Sequence, residues 1–232
     1  MRNLILQHFD GELRPLDYQS QYNIMDYADM IDADYKLIRG KPFRKNLTNA
    51  CQKVHMIDEE FDEWDNVLML DIDMFRPRNM SINVFEEKGI GLYASVQQNL
   101  HRRLVQWHPM LASMDAPYWG GAIYKMDRHT RQTLRKQLGG NEGWMHNFNR
   151  PYNYEDEGIM HVLAFRSGFK TENPYMDQKW CQCSFLPNPE NAGFIHVRTK
   201  ITPQGPKQDK MLNWQNLVDR KILSATNITT KI

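Results

Sequence analysis

The segment Asn66-Val67-Leu68-Met69-Leu70 is a continuous apolar run closed by Asp71-Ile72-Asp73. A run without polar alternation suits a strand covered on both faces, as the central strands of parallel sheets are. Two carboxylates just past its end then fall on the carboxyl edge, where open α/β sheets bind their ligands. Like charges held beside a core demand a compensating cation. Carboxylates with one residue between them can both reach a divalent ion whose remaining ligands are waters and diphosphate oxygens, a donor set suited to Mg²⁺ or Mn²⁺. The bare Asp-x-Asp pattern also arises in ordinary loops, and its placement after the apolar run is what gives it weight.

The surrounding sequence supplies partners for such a strand. Leu4 to His8 followed by Asp10-Gly11 reads as a first strand and turn. Tyr18, Tyr22, Ile24, Met25, Ala28 and Ile31 recur near helical spacing, and Tyr35 to Ile38 before Gly40 reads as a second strand. Leu47, Ala50, Cys51, Val54, Ile57 and Phe61 form a stripe at steps of three and four, which predicts a helix leading into the central strand. Further on, Gly89 to Val96 and Tyr118 to Met126 read as strands, Asp127 to Leu138 and Glu155 to Phe165 as helices, and Phe194 to Val197 as a last short strand. Strands alternating with helices in a Rossmann-like first half, then a looser mixed half, predict an α/β sandwich with a mainly parallel sheet. The expected division is a catalytic domain over residues 1–200 and a C-terminal helical extension and tail over 201–232, the helix carrying Met211, Leu212, Trp214 and Leu217.

With 232 residues the chain fits one large domain, and a formal net charge of +1 gives no electrostatic reason to expect a nucleic-acid partner. Apolar stretches fall far short of the roughly 18 to 20 residues that span a bilayer, and no leader pattern opens the sequence, so a soluble cytoplasmic protein is expected. Cys51, Cys181 and Cys183 are expected as free thiols, and the sequons at Asn46, Asn79 and Asn227 as incidental.

Val67-Leu68-Met69-Leu70-Asp71-Ile72-Asp73 resembles the D-x-D strand of the GT-A superfamily of nucleotide-sugar glycosyltransferases. The resemblance extends upstream to Tyr27 through Tyr35 and to Lys53, and downstream to Tyr118-Trp119-Gly120-Gly121-Ala122-Ile123-Tyr124, which looks like the donor-sugar strand with Gly120 where asparagine is common. Tyr154-Glu155-Asp156-Glu157-Gly158 resembles the acidic start of the helix beneath the acceptor site, and Phe194-Ile195-His196 with Lys200 resembles the late histidine segment that joins the metal shell. Small single-domain members of this kind occur in bacteria and large DNA viruses.

The resemblance implies a metal-dependent transfer of a sugar from a nucleoside-diphosphate sugar, UDP favoured, to a hydroxyl acceptor, with a glycan as the expected acceptor. It implies Mn²⁺ or Mg²⁺ at Asp71, Asp73 and His196, with Asp73 binding directly and Asp71 contacting the ribose or, through water, the ion. Arg39, Lys53, Trp119, Gly120, Gly121 and Lys200 are the expected donor contacts. Asp156 or Glu157 is the candidate catalytic carboxylate, as base in an inverting reaction or as a donor contact in a retaining one. Ordinary readings stand beside these: a core histidine, a core tryptophan beside a bulge, solvated lysines and a helix whose first turn favours acids. Trp107-His108-Pro109 belongs to an acceptor loop or a surface loop. Two rival functions use the same residues. A haloacid-dehalogenase-like phosphatase also places Asp-x-Asp after a strand, although normally the first strand, and a non-catalytic carbohydrate- or partner-binding module accounts for the aromatic content.

Overall fold

The computed structural model describes residues 1–93, 102, 113–139, 143–149, 155–172, 174–199 and 209–226. A six-stranded sheet has the order β2-β1-β3-β6-β5-β7, formed by β1 (Asn3–Phe9), β2 (Asp34–Arg39), β3 (Asn66–Leu70), β5 (Gly91–Tyr93), β6 (Trp119–Asp127) and β7 (Tyr175–Met176). β1 pairs parallel with both β2 and β3, whereas β6 runs antiparallel to its neighbours β3 and β5, so one reversed strand interrupts an otherwise parallel sheet. A second sheet, β4-β9-β8, is built from β4 (Met74–Phe75), β8 (Cys181–Cys183) and β9 (Phe194–His196). These short strands, too brief to show a period, are not read from the sequence except β9.

Side-chain alternation explains why the large sheet is covered on both faces. Leu4, Leu6, Val67, Met69, Tyr124 and Met126 point into one core with Val54, Leu134 and Ile159, while Ile5, Leu68, Leu70 and Ile123 point into another with Ile24, Tyr27 and Ala28. The first core is covered by α2 (Arg128–Arg135) and α3 (Glu155–Arg166), and the second by α1 (Pro15–Met30). Asp127 caps α2 by accepting from the Thr130 amide at 2.6 Å, so the strand that reverses the sheet also starts the helix that returns over it.

The helix expected over Leu47 to Phe61 takes a different form. It is a 3₁₀ helix over Ala50–Ile57 followed by a single turn over Glu59–Phe61, broken at the extended Asp58. Cys51, Val54 and Ile57 recur at steps of three, the 3₁₀ period, and Cys51, Gln52 and Lys53 are all buried, so the segment has no solvent face to set an α period.

The third core joins the small sheet to the end of the chain. Phe75, Ile195 and Val197 pack with Leu16 of α1 and with Trp214 and Leu217 of α4 (Lys210–Asp219). α4 is therefore seated on the domain, a packing the apolar residues at 214 and 217 foretell but whose target they do not. Leu217 is fully buried. Leu217→Ala should cost about 3 kcal/mol and lower Tm by about 6 to 12 °C in a domain of this size. Thermal denaturation showing a loss under about 1 kcal/mol would mean that α4 does not pack this way.

Candidate metal and nucleotide site

β3 ends at the carboxyl edge of the large sheet, and Asp71-Ile72-Asp73 turns the chain into β4 of the small one. The Asp71 amide still donates to the Ala122 carbonyl at 3.1 Å, extending the β3–β6 ladder by one residue, and the Met74 amide closes the turn on the Asp71 carbonyl at 3.1 Å. Buried polar groups hold this turn from below. Gln7 donates to the Asp71 carbonyl and to Ser20 Oγ at 3.0 Å each, Ser20 donates to the Met74 carbonyl at 2.7 Å, and Tyr35 donates to Gln7 Oε1 at 2.9 Å.

The small sheet then brings up the third candidate ligand. Met74 pairs with His196 across the antiparallel β4–β9 ladder, and the Val197 amide donates to the Asp73 carbonyl at 2.9 Å. His196 Nε2 lies 3.0 Å from Asp73 Oδ1 and 3.7 Å from Asp71 Oδ2. One ligand atom from each of Asp71, Asp73 and His196 falls within 4.8 Å of the others. Two carboxylates and an imidazole, converging on one point beside the core, fit a divalent cation.

Each carboxylate already has an internal cation. Lys53 Nζ sits 2.7 Å from Asp71 Oδ1 and 3.0 Å from Asp156 Oδ2, and it donates to the Gly121 carbonyl at 2.6 Å, so three acceptors surround an ammonium with three protons. Burial opposes that charge, but Asp156 and Asp71 outweigh it and raise the lysine above its ordinary pKa. Burial likewise opposes ionisation of Asp73, yet His196 and Lys210 hold its carboxyl well below the usual carboxylate range. The Lys210 ammonium, from the start of α4, contacts Asp73 Oδ2. Lys210 was not foreseen. It is 137 positions away in sequence, and no periodicity or motif connects it to the site.

Asp156 and Glu157 enter from the start of α3. Asp156 is buried, accepts from Tyr124 Oη at 2.9 Å, and has a pKa raised to about 6, chiefly by burial. Glu157 accepts from the Gly121 amide at 2.7 Å and is half-buried. Gly121 is required by this approach, since a Cβ there would stand 2.7 Å from Asp156 Oδ2 and 3.1 Å from Glu157 Cγ. The close contact it admits is thus α3 itself.

A cavity of about 270 Å³ runs alongside, lined by His8, Phe9, Asp10, Asn49, Ala50, Lys53, Asp71, Ile72 and Asp73. His8 and Asp10 lie at the carboxyl end of β1, and the rule that singled out Asp71 applies equally to them. Arg39, Trp119 and Gly120 are not among the residues lining this cavity. Trp119 is fully buried and packs on Phe169 with ring centroids 6.2 Å apart, Gly120 pairs with Leu92 beside a β-bulge, and Arg39 is exposed with its guanidinium on the Gly11 carbonyl. Lys200, Tyr154 and Trp107-His108-Pro109 lie outside the described residues.

No family model matches the sequence, and no curated protein matches it. Solved structures do match. A glycosyltransferase involved in glycosylation of the major capsid of PBCV-1 is similar with a TM-score of 0.57 and 11% identity, over 94% of this chain and 100% of that one. The galactosyltransferase LgtC, in complex with donor and acceptor sugar analogs, is similar with a TM-score of 0.53 and 10% identity, over 97% of this chain and 98% of that one. The chain has the GT-A fold, in agreement with the expectation from its D-x-D strand.

Asp156 supplies a test of the site's electrostatics. Its folded pKa of about 6 exceeds the value of about 3.9 expected unfolded, so the folded chain binds this proton more tightly. The resulting stability is fully present below about pH 4 and is lost as pH rises through about 6, amounting to about 3 kcal/mol at most. Urea denaturation between pH 4 and 7 should show this decline in the native chain relative to Asp156→Asn, which has no carboxyl to titrate at that position. Parallel pH profiles for the two would contradict it.

Proposed function

We infer that this chain, built on the GT-A fold, is a glycosyltransferase that moves a sugar from a nucleoside-diphosphate sugar to a hydroxyl acceptor. The observation that carries the reading is the convergence of Asp71, Asp73 and His196 at the carboxyl edge of the central strand, beside a cavity suited to a nucleotide. Those three residues would hold Mn²⁺ or Mg²⁺. When bound, such an ion offsets the negative charge that develops on a departing diphosphate.

The chain's own groups prepare that site. Lys53 fixes one oxygen of Asp71 and leaves the other turned toward His196. The Gln7 and Ser20 hydrogen bonds hold the turn, so the two carboxylates need little reorganisation on binding. Phe9, Asp10 and Asn49 also line the cavity, beside which the nucleoside would lie. Asp156 is committed to Lys53 and Tyr124, and we assign it the positioning of Lys53. Glu157, half-buried and turned to the Gly121 amide, is assigned the carboxylate that meets the sugar. UDP is the favoured donor nucleotide and a glycan the favoured acceptor. A glycosyltransferase involved in the glycosylation of the major capsid of PBCV-1 and a galactosyltransferase are among the proteins that share the fold. The phosphatase reading expects its Asp-x-Asp after the first strand, whereas Asp71 follows β3 in a fold shared with glycosyltransferases.

A ligand that binds the native state raises its stability by mass action, about 2.7 kcal/mol at 100 times Kd. UDP, GDP, CDP and dTDP should therefore be compared by thermal shift with and without Mn²⁺. One nucleotide, UDP on this account, should raise Tm only together with the metal. Asp73→Ala should lose that response while keeping the far-ultraviolet circular dichroism of the native chain. A flat response to every pair, or an undiminished response in Asp73→Ala, would overturn the assignment.

A further inference from the structure

The first residue of α4 reaches back across the small sheet to the proposed metal ligands. Asp73 is 6% exposed, with Oδ1 facing His196 Nε2 and Oδ2 facing the Lys210 ammonium. Asp71 is compensated separately, from inside the fold, by Lys53. The two internal cations differ in one respect. Lys53 is buried with all its donors engaged, whereas the Lys210 side chain is 32% exposed and stands at a helix end. Lys53 is built in, and Lys210 can leave.

The geometry around Lys210 permits that exit without loss of the helix. Trp214 and Leu217 anchor α4 in the third core, and Asn213 Nδ2 donates to the Arg198 carbonyl at 2.8 Å. Asp209 caps the helix, accepting from the Met211 amide at 3.3 Å. The lysine stem has several rotatable bonds beyond these anchors, so its ammonium can swing into solvent while Asn213, Trp214 and Leu217 stay seated. A divalent ion taking Asp73 would face that ammonium across a single carboxylate. The ion would face Lys53 across Asp71 in the same way, and the repulsion falls on the cation that is free to move, which is Lys210.

We propose that Lys210 is a tethered competitor of the divalent cation: it holds Asp73 while the metal is absent, and metal binding expels it and loosens the first turn of α4. The proposal rests on the metal site inferred above. Metal occupancy is thereby coupled to the C-terminal segment, and the ion's apparent affinity is lower than the ligand set alone would give, because part of its binding energy goes into displacing the lysine.

Mn²⁺ alone is the probe. Its affinity is measured by isothermal titration calorimetry for the native chain, Lys210→Met, Lys210→Gln and Asp73→Asn. Amide hydrogen exchange is followed with and without the ion at Met211 and Asn213, whose amides are bonded to Asp209. Both lysine variants should bind Mn²⁺ about tenfold more tightly or better, a gain of at least about 1.4 kcal/mol. Exchange at the start of α4 should rise with Mn²⁺ in the native chain and be independent of it in Lys210→Met. Equal or weaker binding by both lysine variants, with binding still lost in Asp73→Asn, would overturn the competition and leave the metal site standing. Absence of binding in the native chain and in both lysine variants would overturn the metal site and the competition together. Two substitutions of different polarity guard against a folding defect peculiar to one, and circular dichroism of each variant establishes that it is folded.

Discussion

Three carboxylates converge past the end of β3, and the structure around them is an answer to that concentration of negative charge. Asp73 and Asp156 are nearly buried, and Asp71, linked to each through His196 and Lys53, lines the cavity. Removing such groups from water is tolerable only with cations and donors close by. Lys53 serves Asp71 and Asp156 from within the core, and Tyr124 adds a hydroxyl to Asp156. Asp73 receives His196 and Lys210 from the other side. The division follows the sheets. The 3₁₀ helix that leads into the large sheet supplies the permanent counter-ion, and α4, packed on the small sheet, supplies the exchangeable one.

That arrangement also explains why the second sheet exists. A strand ending in Asp-x-Asp leaves its carboxylates on a loop unless something fixes the turn. Here β4 begins at Met74, directly after the turn, and pairs with β9 so that His196 stands opposite. One register therefore sets the spacing of all three proposed ligands. A shift by one residue would carry His196 to the opposite face of the small sheet and empty the site of its nitrogen donor.

Residues whose role depends on local pattern were legible in the sequence. The apolar run at 67–70 announced a strand buried on both faces, and the alternation of Leu68 and Leu70 against Val67 and Met69 in two cores is what that reading requires. Asp71 and Asp73 followed from their position after it. Residues whose role depends on tertiary contact were not legible. Lys53 looked like a cation available to a ligand, and only the fold shows its ammonium enclosed by Asp71, Asp156 and the Gly121 carbonyl. Trp119 beside two glycines suggested a sugar platform, but strand alternation turns its ring into the core against Phe169. Gly121 stands at a close approach of its own fold, where Asp156 and Glu157 of α3 occupy the space that a Cβ would need. Lys210 carried no signal at all, because its partner is fixed by the docking of α4.

We propose Asp71, Asp73 and His196 as a divalent cation site. Anomalous X-ray scattering from crystals grown with Mn²⁺ and UDP tests it most directly. The account predicts one strong manganese peak within coordination distance of a carboxylate oxygen of Asp73 and of His196 Nε2, with Asp71 bound directly or through water and diphosphate density beside it. A peak elsewhere, or crystals that bind UDP in this cavity with no manganese between those side chains, would contradict it.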